Sequence, residues 1–193
     1  MSILVGCLDF ESTGLDVEND RIVEAALVVM DLESGAERLA FEKRINPGVH
    51  IPAKAVEVHG ITDADVVQAP AFASIAQGFA KLLGSVHLIV GHNIARFDAP
   101  LLAHELVRAG VSVPAFPPVF DTMLEGRFAT DDGKVPTLGE LCFALDTPYD
   151  PEQAHAALYD VRVNLQAFRR GWQIGAFKVP VIDEILKQRK EAA

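Results

Sequence analysis

Hydrophobic and polar positions along the chain fall first into strand-like runs and later into helix-like spacings. Ile3 to Phe10 and Ile22 to Met30 are continuous apolar stretches of strand length. Asp31 to Ala36, with Ser34 and Gly35, predicts a turn into a third strand over Arg38 to Ile45. The three together predict an antiparallel opening. A loop-rich segment with Asn46-Pro47-Gly48 and Ile51-Pro52 follows. Next comes a helix in which Phe72, Ile75, Phe79, Leu82 and Leu83 recur at helical spacing. Val86 to Val90 predicts a fourth strand ending at Gly91.

From there the pattern alternates. It predicts a helix from about Asp98 to Ala109 closed by Gly110, a short strand at Val119-Phe120, a helix over Leu138 to Leu145 and a long one from about Ala156 to Arg170. Strands first and alternation afterwards predict the α/β class, with a mixed sheet flanked by helices. The tail, Val181 to Lys190, sets Ile182, Ile185 and Leu186 on one helical face with Lys and Arg opposite. Such a short amphipathic helix is expected to dock on the domain or on a partner. With no repeat, low-complexity tract or linker, the chain is expected to comprise one domain over residues 1–175 and a tail over 176–193.

Composition narrows the partners. Half of the 193 residues are hydrophobic, enough for one core. Lys and Arg number 17 against 27 Asp and Glu, a net charge of −10. That balance argues against a broad basic groove gripping duplex phosphates, so nucleic acid would have to be held locally. Met1 to Leu8 has no cationic leader and meets Asp9 too soon for a signal peptide or membrane span, so a cytoplasmic location and no membrane contact are expected. Cys7 and Cys142 match no zinc or redox spacing and read as core thiols.

Three chemically distinctive sites interrupt the apolar framework. The first is Asp9-Phe10-Glu11-Ser12-Thr13-Gly14-Leu15. Side chains at i and i+2 of a strand share a face, so Asp9 and Glu11 project together from the end of an apolar strand. Adjacent carboxylates repel unless a cation sits between them, and oxygen-rich sites of this kind suit Mg²⁺ or Mn²⁺. Taken alone, the pair reads as a polar strand end running into a Thr-Gly turn. The second site runs from Gly91 through His92, Asn93 and Phe97 to Asp98, after a strand and opening a helix. By itself Asp98 reads as a helix N-cap.

The third site is His155-Ala156-Ala157-Leu158-Tyr159-Asp160, at the start of the long helix. Five helical residues would leave the two side chains roughly 140° apart. His155 is therefore expected on the preceding loop, where an imidazole beside a helix-borne Asp can swing toward a metal-bound water. Alone it is a capping or surface His. Taken together, four carboxylates and one His at strand ends and helix starts mark a ligand site of an α/β sheet.

The ordered motifs DFESTG, VHGIT (Val58 to Thr62), GHNIARFD and HAALYD resemble those of the DEDDh, or DnaQ-like, 3′-to-5′ exonucleases of the polymerase III epsilon and Trex types, from about Leu4 to Phe168. The resemblance implies an RNase H-like fold with a five-stranded mixed sheet flanked by helices. It implies that Asp9, Glu11, Asp98 and Asp160 bind two Mg²⁺ or Mn²⁺ ions and that His155 is the general base. It places substrate contacts at Ser12, Thr13, Leu15 as a wedge against the terminal base, His59, Ile61, Asn93 and Phe97. Two features depart from the commoner pattern. Ser12 stands where Thr is more usual, and three residues separate Asn93 from Phe97, a spacing that resembles the Trex type.

The implied substrate is a single-stranded or frayed 3′ end of DNA, with RNA as the alternative polymer and a replication or repair protein as an expected partner. A non-catalytic module binding nucleic-acid ends or a partner is the reading from another class, and the filled chemical positions weigh against it. Gln173 to Phe177 loosely resembles a sliding-clamp peptide, but Ile174 and Phe177 are expected to pack against the core.

Overall fold

The computed structural model describes residues 2–113, 115–154 and 156–191. His155, expected as the general base, lies outside the described residues. Five strands, β1 (Leu4–Ser12), β2 (Ile22–Asp31), β3 (Glu37–Arg44), β4 (Leu88–Gly91) and β5 (Val119–Asp121), form one sheet in the order β3-β2-β1-β4-β5. β1 pairs antiparallel with β2 and parallel with β4; β2 and β3 are antiparallel, β4 and β5 parallel. This is the mixed, RNase H-like sheet expected. The helices among the described residues are α1 (Ala53–His59), α2 (Asp63–Val66), α3 (Ala76–Leu83), α4 (Asp98–Arg108), α5 (Thr122–Glu125), α6 (Leu138–Ala144), α7 (Ala157–Gln173) and α8 (Pro180–Glu191).

Period-2 alternation along β1 divides its side chains between two apolar layers. Ile3, Val5 and Cys7 enter a cluster with Val161, Leu165 and Phe168 of α7. Leu8 and Phe10 enter the opposite cluster, with Phe79 of α3 and Leu101 and Leu102 of α4. β2 is buried along its whole length, which explains its unbroken apolar run. β3 is an exposed edge strand whose Glu and Arg side chains discourage pairing with another chain.

Several elements differ from the sequence reading. α1 and α2 occupy a segment expected to be loop. α1 buries none of its residues, so it carries no apolar periodicity to betray a helix. The helix expected from Phe72 opens with a separate 3₁₀ turn, Phe72–Ser74, before α3 begins. At the carboxyl end, Phe177, Val179 and Ile182 join the α7-side cluster. The Phe177 ring meets those of Phe120 and Phe168 at 5.1 and 6.1 Å between centroids. Gly171 makes room for it, because a Cβ there would stand 2.7 Å from Phe177 Cε2. Ile174 does not pack as expected: it is 52% exposed, since the turn after α7 directs only Phe177 inward. No helix among the described residues is long and apolar enough to cross a membrane.

Candidate active site

Asp9 and Glu11 continue the odd-numbered series of β1, so they extend from the α7 side just where the apolar cluster ends. Asp160, in the first turn of α7, lies across from them. All three line one cleft of about 780 Å³, together with Asn93, Phe97 and the segment leading into α6. Asp98 is the first residue of α4 and is buried beneath the cleft. Its Oδ1 accepts the Phe10 backbone N–H at 3.1 Å. Four acids from three distant segments are thereby assembled around the end of the central strand.

Their electrostatics follow from crowding. Burial, then the charges of Asp160 and Glu24, push Asp9 up to about 7. Glu11 is pushed to about 8 by burial and by Asp9, Glu24 and Asp160, with Arg44 opposing. Asp98 is held well above the usual carboxylate range by burial and by Asp9, against the stabilising Phe10 N–H. A group of acids that resists ionising together is one whose charge a cation would relieve.

The donor chemistry, all carboxylate oxygen, fits a hard divalent cation of the Mg²⁺ or Mn²⁺ kind. Among the described residues no three His, Cys, Asp or Glu side chains are already gathered as a cage for an ion. The fit therefore rests on donor type and shared repulsion.

Two further acids support the site. Glu24 stands directly opposite Glu11 in the β1–β2 register and is bound to Arg44 at 2.8 Å. Its sequence signal was a lone acid inside the apolar run of β2. Asp121, the last residue of β5, both caps a helix and braces the loop beside the cleft. Its buried carboxylate accepts the N–H groups of Met123 and Leu124 at 3.0 and 3.2 Å, capping α5, and those of Asn93 and Ala95 at 3.1 Å each. That clamp holds Asn93 at φ 65°, a left-handed conformation that Asn tolerates better than most residues. Behind the loop, His92 Nδ1 lies 3.1 Å from the Thr122 hydroxyl and Nε2 donates to the Pro136 carbonyl at 3.1 Å, while burial holds its pKa down.

The residues expected to touch substrate divide into groups. Asn93 and Phe97 are on the cleft wall. Ser12 and Thr13 turn their hydroxyls into their own loop, toward the Gly14 carbonyl at 2.6 Å and the Asp20 carboxylate at 2.7 Å. Leu15 projects from that loop, 86% exposed. His59 Nδ1 accepts the Ile61 N–H at 3.0 Å, which leaves Nε2 to donate to the Ser12 carbonyl at 3.1 Å. The Ile61 side chain is 1% exposed among Val23, Ile51 and Val66, so its side chain is unavailable for the contact expected of it.

Residues 7–168 match the exonuclease family, and the chain belongs to it. It is 33% identical over 163 residues to the DNA polymerase III subunit epsilon-like protein of Rhodobacter capsulatus, covering 84% of this chain and 23% of that protein. It is 32% identical over 178 residues to the DNA polymerase III subunit epsilon of Rickettsia felis, covering 89% of this chain and 76% of that one. The chain thus spans less than a quarter of the first of these relatives and about three quarters of the second. Among solved structures, the zinc-bound form of an Escherichia coli exonuclease I complex with single-stranded DNA superposes with a TM-score of 0.78 at 18% identity, covering 98% of this chain and 44% of that one. At that identity the likeness speaks for the fold.

Proposed function

We propose that this chain is a divalent-metal-dependent 3′-to-5′ exonuclease that releases nucleoside monophosphates one at a time from DNA ends. The observation that carries the reading is the junction of β1 and α4. There the Phe10 N–H, flanked by the carboxylates of Asp9 and Glu11, donates to Asp98 while Asp160 faces the same cleft. Family membership supports the reaction class, and the epsilon-type relatives support DNA as the polymer.

Asp9, Glu11, Asp98 and Asp160 would hold two Mg²⁺ or Mn²⁺ ions. Bound there, the ions would lower the pKa of the attacking water and offset charge on the departing 3′ oxygen. His155 takes the water's proton as the water oxygen bonds to phosphorus and the bond from phosphorus to O3′ breaks. The released nucleotide keeps its 5′-phosphate and the strand gains a new 3′-hydroxyl. Asn93 and Phe97 seat the terminal nucleotide from the cleft wall, and Leu15 presses on its base. With a net charge of −10, grip comes from stacking and local hydrogen bonds, so digestion is distributive. A replication or repair protein would supply sustained contact with DNA.

End-labelled single-stranded, paired and mismatched DNA, with matched RNA, incubated with Mg²⁺, Mn²⁺ or chelator, tests this directly. The expected result is stepwise shortening from the 3′ end with either metal, none with chelator, and faster release from DNA. Failure to release mononucleotides from any oligomer with either metal defeats the proposal.

A further inference from the structure

The loop that carries Leu15 is tied to the far end of α4 through one buried carboxylate. Glu105, only 1% exposed, accepts Arg21 Nε at 2.5 Å and Arg108 Nη1 at 2.8 Å. Arg108 extends the tie into the loop: Nη1 also donates to the Asp20 carbonyl at 3.1 Å, and Nη2 donates to the Glu18 carbonyl. Asp20 closes an inner ring, accepting the Thr13 hydroxyl at 2.7 Å and the Asp16 N–H at 2.8 Å. The Thr13 hydroxyl accepts the Arg21 N–H at 3.0 Å, and the Thr13 N–H donates to the Arg21 carbonyl at 2.9 Å. Gly14 is part of the same closure, because a Cβ there would stand 2.9 Å from Asp20 Cγ. These bonds turn the polar groups of the loop inward and leave the Leu15 side chain at its apex.

We propose that Glu105 and Arg108 are positioning residues that fix where Leu15 stands relative to the β1 carboxylates, and so set how well the enzyme opens a paired 3′ end. The inference rests on the exonuclease reading and on Leu15 acting as a wedge. Leu15 lies three residues past the end of β1, so the loop conformation decides its direction. A loop closed beforehand does not have to be ordered when substrate arrives, and that ordering would otherwise weaken binding. Loss of the tie is therefore felt most where the terminal base must be parted from a partner.

A double-mutant cycle between Arg108→Ala and Leu15→Ala separates positioning from simple structural support. KM, kcat and melting temperature are measured on a paired 3′ end and on single-stranded DNA. Arg108→Ala is expected to raise KM for the paired end roughly ten-fold with kcat changed little, and to raise KM for the single strand much less. On the Leu15→Ala background it is expected to add nothing. Glu105→Gln, which keeps the side-chain shape, should shift KM in the same direction. Additive effects in the double variant overturn the proposal, as does an Arg108→Ala protein that melts lower yet keeps both KM values. A Leu15→Ala protein indistinguishable from the parent overturns the wedge reading and this inference with it, while leaving the exonuclease reading standing.

Discussion

Asp98 and Phe10 are 88 residues apart in the chain and are joined by a single hydrogen bond of 3.1 Å. The donor is the main-chain N–H between Asp9 and Glu11, and the acceptor is the acid that opens α4. One carboxylate oxygen thus registers helix against strand.

Asp98→Asn and Asp98→Ala should therefore part company. The Asn amide oxygen can still accept from Phe10, and the substitution replaces a buried acid whose ionisation its surroundings oppose. Its ion-free melting temperature is expected to equal or exceed that of the parent while turnover falls by about 10²-fold or more. Asp98→Ala leaves the Phe10 N–H buried without its acceptor, a cost of about 1–3 kcal/mol. Thermal melting and initial rates of mononucleotide release on both variants check the contrast.

Stability in chelator should fall as pH rises. Asp9 and Glu11 are held up to about 7 and about 8, whereas unfolded carboxylates titrate near ~4. The folded chain thus keeps protons that the unfolded chain releases. The contribution of these groups is full below the unfolded pKa and is lost as pH climbs through the folded values. Melting temperature in chelator is expected to decline between about pH 5 and 8.5. Added Mg²⁺ or Mn²⁺ should restore it more at the alkaline end, because protons and cations compete for the same oxygens. A flat profile in chelator would contradict the crowded-acid picture.

His155→Ala should retain binding of metal and of DNA while turnover drops by about 10²- to 10⁴-fold. Calorimetric titration with Mn²⁺ and single-turnover kinetics measure the two separately. Unchanged turnover would remove His155 from the role of base.

Asp121→Ala is expected to act at two places from one position. Loss of the α5 cap alone costs about 1 kcal/mol, and release of the Asn93 and Ala95 N–H groups frees the cleft wall. The predicted outcome is a lower melting temperature together with a raised KM. Asn93→Gly, which suits the left-handed backbone, should keep the melting temperature and lose only side-chain contacts. Equal thermal damage from both substitutions would argue against the clamp.

The sheet was legible because its strands announce themselves locally, β2 by an unbroken apolar run and β1 by one that ends abruptly in Asp9 and Glu11. The acidic motifs were legible for the same reason, each lying at a break in pattern. What escaped notice depends on pairing across the chain. Glu24 acquires meaning only when the β1–β2 register sets it opposite Glu11. Glu105 reaches Arg21 across 84 residues, a contact with no trace in local periodicity. α1 was missed because a helix without a buried face has no stripe to read. Ile61 was assigned to substrate from its motif, and the cluster around Val23 shows that neighbouring residues of a motif can serve different ends.

The aromatic plug formed by Phe177 gives the carboxyl-terminal segment a reach beyond its own helix. Clipping the chain ahead of Phe177 would leave a hole beside Phe120, whose next neighbour on β5 is Asp121. Damage at that end would then travel along the sheet edge to the Asn93 loop, so limited proteolysis there should silence the enzyme without touching a single acid of the cleft.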